Sequence, residues 1–473
     1  MPDTSTATRP STKLLERTLS NLRTAWRDVA ASARGAFGSS LRPDLPPEDA
    51  DRLRQQFRDC MEAKGGEVSA RARAAALGRT YLGLSPAGRR RFLEILATDF
   101  DTDQQAVDAA IEVLRAAKEP MARRAAERAL RQVLLPPRRR LLTHFNALPE
   151  GVKFLVDLRA ELIPMARDDG ALASLEDDLR HLLGAWFDVD FLELHRITWQ
   201  SPAALLEKLM AYEAVHEIRD WNDLKNRLDS DRRLFAFFHP RMKLEPLIFV
   251  EVALVNGMSG SIQELLDPQA PLGDPGAADT AIFYSISNAQ KGLAGISFGN
   301  FLIKRVVDQL AAEFKGLKTF ATLSPIPGFR PWLKERLKEE GDGLLLPTEK
   351  RAFAGFGDGT DVSMLMDADG WVDERAMAAV KPPLMRLCAR YLVNERARGR
   401  RALDPVAHFH LSNGARIERL NWRADLSGKG LRQSSGMMVN YLYRLDRIEA
   451  NHEAYTGEGK VAASSAMRGL IGG

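Results

Sequence analysis

The fold turns on one stretch: Ala281-Ile-Phe-Tyr-Ser-Ile286, then Lys291-Gly-Leu-Ala-Gly-Ile-Ser-Phe-Gly299, then Phe301 to Phe314, then Thr319-Phe-Ala-Thr-Leu323. β-branched and aromatic residues make its first and last segments strands, while apolar residues at 302, 303, 306, 307 and 310 give Phe301 to Phe314 the period of an amphipathic helix. Strand, Gly-rich entry, helix and strand form a βαβ-like turn, and free N–H groups at such a helix start favour a phosphate. Upstream, Arg233 to Phe238 and Pro246 to Val255 read as two strands joined by His239 to Glu245, a hairpin by spacing. Downstream, Val406-Ala-His-Phe-His-Leu411 alternates, Asn413-Gly414 supplies the residues of a type I′ turn, and Ala415 to Trp422 resumes a strand.

Away from this mixed region the grammar is different. From about Lys13 to Leu183, Ala, Leu, Arg and Glu dominate and apolar positions recur at three and four, as in Phe92, Ile95 and Leu96. Breaks fall at Leu45-Pro-Pro47, Ser85-Pro86, Leu135-Pro-Pro137 and Leu148-Pro149, because proline lacks the N–H and restricts the residue before it. Aromatic and β-branched residues then gather from Trp186 to Trp199, ahead of a helical stretch from Ala203 to about Glu217. With 473 residues, the chain exceeds the roughly 250–300 at which a single core stops growing. The expected class is α+β, an all-α helical domain over 1–185 followed by a mixed-sheet domain over 186–473.

Several function classes drop out. Sixty-seven basic against 63 acidic residues nearly balance, which does not imply nucleic acid. The basic runs Arg89 to Arg91 and Arg138 to Arg140 sit among helical patterns and read as solvated faces or partner contacts. Apolar runs such as Pro246 to Leu254 are about half of the roughly 20 residues a membrane span needs. Cys60 and Cys388 lie far apart without a C-x-x-C partner, against a disulfide framework or thiolate zinc site and in keeping with a reducing compartment. Asp3 and Glu16 interrupt the Arg-rich opening, so it reads as a loose tail rather than a transit peptide, and a cytoplasmic location is expected. No H-E-x-x-H or G-x-x-x-x-G-K-[ST] is present, and no metal or cofactor is expected.

Three candidate features remain, each with a plain structural alternative. In Gln290-Lys-Gly-Leu-Ala-Gly-Ile-Ser-Phe-Gly299, the glycines permit close backbone approach to a pyrophosphate, yet a flexible loop before a helix is commoner. Ser324, ahead of Pro325-Ile-Pro-Gly-Phe329, reads locally as an N-cap hydroxyl. His410 reads as a hydrogen-bonded core histidine, and His408, two residues away on the same face of the expected strand, is locally indistinguishable from it.

The order of strands before the Gly-rich turn resembles the acyl-CoA-binding core of the GNAT superfamily of N-acetyltransferases, whose Q/R-x-x-G-x-G/A loop this turn stretches. Phe301-Leu-Ile-Lys-Arg-Val-Val307, Thr322-Leu-Ser-Pro-Ile-Pro-Gly-Phe329, Pro405-Val-Ala-His-Phe-His-Leu-Ser-Asn-Gly414 and Gly436-Met-Met-Val-Asn-Tyr-Leu-Tyr443 together resemble the malonyl-CoA decarboxylases over roughly 190 to 473. That resemblance implies an acetyltransferase-like catalytic domain and a malonyl-CoA substrate converted to acetyl-CoA and CO2. It implies a Ser/His pair at Ser324 and His410 with Tyr443 nearby. Gln290, Lys291, Gly292, Gly295, Ser297, Gly299 and Asn300 would then hold the CoA, and the helical domain would make a homo-oligomer, dimer or tetramer. Two departures stand out: Leu470-Ile-Gly-Gly473 is not the peroxisomal Ser-Lys-Leu of some animal members, and Ser297 stands where an acidic residue is expected. An acyl-CoA-dependent N-acyltransferase and a non-enzymatic acyl-CoA-binding regulator would use the same fold and loop.

Overall fold

A computed structural model describes Trp26 and residues 41–62, 66–187, 191–296, 302–353 and 374–472. The chain divides into two compact units. One gathers Met1–Glu193 with Phe238–Leu247 and Ala289–Phe298; the other comprises Leu194–Phe237, Ile248–Asn288 and Gly299–Gly473. Along the chain, segments of the second unit therefore alternate with segments of the first. The expected opening tail falls almost wholly outside the described residues.

The first unit is helical, with α1 (Pro47–Met61), α2 (Glu67–Gly83), α3 (Pro86–Asp99), α4 (Gln104–Ala116), α5 (Pro120–Val133), α6 (Arg138–Asn146), α7 (Gly151–Met165) and α8 (Gly170–Trp186). Helices α1, α3 and α5 each open on proline at the first turn, where the missing N–H costs nothing. Side-chain caps do the rest: Ser85 accepts from Gly88 N, Asp103 from Gln105 and Ala106 N, and Asp169 from Ala171 and Leu172 N. The core is an edge-to-face run of rings, Phe57 on Phe92 at 4.9 Å, Phe92 on Tyr81 at 5.1 Å and Tyr81 on Phe154 at 5.8 Å. Each such pair adds about 0.5–1.5 kcal/mol beyond burial. Helices α4 and α5 differ from the rest, burying only Val107 and Ala126 and leaving Val113, Met121, Leu134 and Leu135 exposed.

The second unit is built on an eight-stranded mixed sheet: β1 (Glu193–Ile197), β2 (Arg232–Phe238), β3 (Ile248–Val255), β4 (Thr280–Asn288), β5 (Thr319–Thr322), β6 (Ser324–Pro325), β7 (Arg416–Asn421) and β8 (Met438–Leu442). Its order is β1-β2-β3-β4-β5-β8-β6, with β7 also on β8. Helix α9 (Ala203–Tyr212) stops at Glu213, short of the expected Glu217. The first hairpin is as expected, with Arg232 opposite Ala253 and Phe237 opposite Ile248. Strands β4 and β5 are parallel and flank α10 (Leu302–Glu313), which completes the βαβ turn. Their pairing ends at Phe283 and Thr322, whereas β4 runs on to Asn288 and the other chain turns away at Ser324 to join β8. The sheet thus parts on the β5 side of β4. This is the expected α+β organisation, a helical region followed by a mixed sheet.

The second expected hairpin is half wrong. Pro405 to Ser412 is a helix, here α13, following α11 (Phe329–Glu340) and α12 (Glu374–Val393), and only Arg416 to Asn421 is a strand. Asp404 caps it, accepting from Val406 N at 2.9 Å and Ala407 N at 3.0 Å, and Pro405 fills its first turn. These start signals outweigh the alternation of Val406 to Leu411. Gly414, at φ +79, closes the helix instead of turning a hairpin. No described helix is long and apolar enough to cross a membrane.

Candidate active site

Where the sheet parts, a cavity of about 270 Å³ opens. Phe283, Ile286 and Asn288 line it from β4, Ser324 and Pro325 from β6, and Val406, Phe409 and His410 from α13, with Val215 on a further wall. None of its lining residues carries a formal charge apart from what the imidazole could acquire.

Ser324 sits on the two-residue strand β6, held opposite Val439 by its pairing with β8. Its hydroxyl donates to Thr322 Oγ1 at 2.8 Å and lies 3.1 Å from His410 Nε2. The expected capping role fails, since the next helix starts at Phe329 with Gly328 ahead of it. His410 comes from the last turn of α13 and is 2% exposed. Its Nδ1 lies 2.8 Å from the hydroxyl of Tyr443, just beyond β8. Tyr441 stacks on the imidazole with ring centroids 4.4 Å apart and planes 23° from parallel.

Burial pushes His410 down to about 3 and is the cause of the shift, so the ring is neutral at physiological pH. Burial likewise pushes the Tyr443 phenol well above its ordinary range. The two groups are therefore a neutral donor–acceptor pair. Thr322 Oγ1 also accepts the backbone N–H of Tyr441 at 3.1 Å, which fixes the far end of the chain of hydrogen bonds.

The structure separates the two histidines. On a helix, positions two apart point to different sides: His410 meets Ser324, while His408 Nδ1 lies 2.9 Å from Tyr455 OH. The expected shared face does not exist. Sequence reasoning also passed over Glu213, whose carboxylate accepts from Ser285 and Ser287 hydroxyls and from Val215 and His216 N–H groups, fixing Val215 at the cavity wall. Nothing in its local sequence marks it.

The Gly-rich turn belongs to the helical unit and is engaged there. Gln290 Nε2 donates to Pro246 O at 2.9 Å, and Lys291 to Leu293 form a 3-10 turn. Gly292 lies against α7, where an added Cβ would stand 1.7 Å from Val156 O, and its carbonyl accepts from Arg159 at 2.6 Å. Gly295 has φ +74 and open space around it, and borders a second cavity of about 430 Å³ with Arg159, Arg167 and Ala294. Ser297, Gly299 and Asn300 lie outside the described residues.

Residues 100–187 match the model of the malonyl-CoA decarboxylase N-terminal domain, and residues 190–473 that of the C-terminal domain. The chain is 38% identical over 462 residues to the mitochondrial malonyl-CoA decarboxylase of Mus musculus, covering 93% of this chain and 91% of that one. It is 39% identical over 422 residues to the goose (Anser anser anser) enzyme of the same name, covering 85% and 84%. The crystal structure of malonyl-CoA decarboxylase from Rhodopseudomonas palustris superposes with a TM-score of 0.82 at 41% identity, covering 89% of this chain and 99% of that one. That from Agrobacterium vitis gives 0.81 at 42%, covering 89% and 100%.

Proposed function

The chain belongs to the malonyl-CoA decarboxylase family, and on that premise we propose how its cavity carries out the carboxy-lyase reaction, malonyl-CoA to acetyl-CoA and CO2. The observation that carries the reading is the hydrogen-bonded chain Tyr443–His410–Ser324–Thr322 at the wall of a cavity lined without charged residues.

A malonyl carboxylate placed in such a cavity leaves water without gaining a cation, which favours neutral CO2 over the bound anion. The electrons released pass into the thioester carbonyl, so the substrate is its own electron sink, and neither a metal nor a redox cofactor is required. Ser324 contacts the malonyl group. His410 orients the serine and relays the proton. One direction satisfies all the bonds at once: Tyr443 O–H donates to Nδ1, Nε2–H donates to Ser324 Oγ, and the serine hydrogen rests on Thr322. That hydrogen is then free to turn to the enolate, and the proton it delivers to the α-carbon is replaced through His410 from Tyr443, which takes up a proton from water to restore the chain.

The Gln290–Gly299 turn with Asn300 is the proposed holder of the CoA pyrophosphate. Gly295 is its best-placed described residue, since Gln290 and Gly292 already have partners within their own unit. The proposal extends to a homo-oligomer, dimer or tetramer, formed through the helical unit; the exposed Val113, Met121, Leu134 and Leu135 of α4 and its neighbour support it. Cys60 and Cys388, both free and buried, support a reducing, cytoplasmic location. The test is direct: protein dialysed against EDTA and given malonyl-CoA should form acetyl-CoA, followed by chromatography. A requirement for added zinc or magnesium would overturn the metal-free reading.

A further inference from the structure

Ser324 and His410 come from different elements, a two-residue strand and the end of a helix, yet their side chains must meet within a few tenths of an ångström. One buried carboxylate touches both supports. We propose that Asp404 is a positioning residue that sets the Ser324–His410 geometry, an inference that rests on the reading of that pair given above.

Asp404 Oδ1 accepts from Val406 N at 2.9 Å and Ala407 N at 3.0 Å, which fixes the start of α13 six residues ahead of His410. Its Oδ2 accepts from Gly328 N at 3.3 Å and from Tyr391 OH at 3.3 Å. Gly328 ends the segment Ser324-Pro-Ile-Pro-Gly328, where two prolines with fixed φ make a stiff arm four residues long. The two oxygens therefore clamp the helix that carries the imidazole to the arm that carries the hydroxyl.

The close approach is built for. A Cβ on Gly328 would stand 2.1 Å from Tyr391 Oη and 3.5 Å from Asp404 Oδ2, so only glycine lets the arm reach the carboxylate. Asp404 is 0% exposed, and its polar contacts are two N–H groups of the helix start, one N–H of the arm and one phenol from α12. Burial pushes its carboxyl up, while the Ala407, Gly328 and Val406 N–H groups oppose this. A buried acid without an ion pair is costly to keep, and here its donors divide between the two elements that must be aligned.

Asp404→Asn separates capping from clamping. Asparagine caps a helix as well as aspartate does, but its amide NH2 cannot accept from Gly328 N–H. The expected result is a kcat lower by about 10- to 100-fold, the scale of an ångström of misplacement, with KM for malonyl-CoA within about twofold. In a Ser324→Ala background, Asp404→Asn should add no further loss, because residues acting as a unit are non-additive. An unchanged kcat in folded Asp404→Asn, or the same factor lost again beside Ser324→Ala, would overturn the proposal. If Ser324→Ala alone left kcat intact, the reading of the pair would fall first. Should Asp404→Asn not fold, Tyr391→Phe carries the test without touching the cap. It should lower kcat by about three- to tenfold at constant KM, again with no added loss beside Ser324→Ala, and an unchanged kcat would count against the clamp.

Discussion

The Gly-rich turn at Gln290–Gly295 and the cavity at Ser324 are both rich in groups that could meet a ligand, and they differ in what those groups already touch. In the turn, Gln290 and the Gly292 carbonyl are committed to Pro246 and Arg159, and the Gly292 α-carbon faces Val156 O too closely for any side chain. In the cavity, the hydrogen-bonded chain presents at the wall the Ser324 hydroxyl, which can turn. A glycine or an amide is evidence for a site only after its structural partners have been subtracted.

The cavity side of this contrast is broken most sharply by the dyad itself. His410→Asn and Ser324→Ala should each lower kcat by about 100- to 10,000-fold, and the double variant should be scarcely worse than either. His408→Asn, whose ring meets Tyr455, should stay within a few-fold of wild type. Steady-state kinetics on folded protein decide it, and a dead His408→Asn beside an active His410→Asn would reverse the assignment.

The turn side is tested by its two glycines. Gly292→Ala forces a Cβ onto backbone and should cost about 2–3 kcal/mol in denaturant unfolding. Gly295→Val meets open space but sits at φ +74, so its stability cost should be nearer 1 kcal/mol. It should instead weaken the binding of free CoA, about tenfold, by blocking backbone approach. A Gly292→Ala as stable as wild type would deny the packing role, and an unchanged Kd for CoA in Gly295→Val would move the phosphate site elsewhere.

A further effect is one of pH. Above about pH 6.5, His410 is neutral folded and unfolded alike. Below it the unfolded ring binds a proton that the folded ring, held near 3, does not, so stability falls as pH drops through that window. Between pH 7 and 5, wild type should lose about 2 kcal/mol more than His410→Asn, at roughly 1.4 kcal/mol per unit. His216, which burial also lowers, is present in both and cancels. Equal losses, read from urea midpoints, would mean that His410 is not buried as described.

The βαβ turn and the first hairpin were legible because periodicity is local: β2, β3, β4, α10 and β5 stand within one or two residues of their expected spans. Helix α13 was not, because Val406 to Leu411 alternates as a strand would, and the decisive signal is the Asp404-Pro405 start beside it. Family resemblance alone distinguishes His410 from His408 in the sequence, and the residue that meets Ser324 stands on a helix where the alternation reads as a strand. Tyr443 and Ser324 were equally beyond local reading, since β6 exists only by pairing with β8, more than a hundred residues on. Gly292 shows the converse: a glycine that looks made for phosphate answers to Val156 on another helix, a contact no local window contains.

A last consequence follows from the phenol behind His410. A serine–histidine pair is best known for making acyl-enzymes, where a carboxylate behind the imidazole stabilises the cation formed as serine attacks. Here that place is held by an uncharged tyrosine hydroxyl, and burial opposes any positive charge on the ring. Such a pair is a poor activator of its serine as a nucleophile, and equally poor at activating water. The thioester that enters is left intact as its acyl group shortens, so the product departs with its carrier still attached rather than as a free acid. In the proposed mechanism, fidelity of that kind comes from what the site withholds: the charge that would have made it a hydrolase.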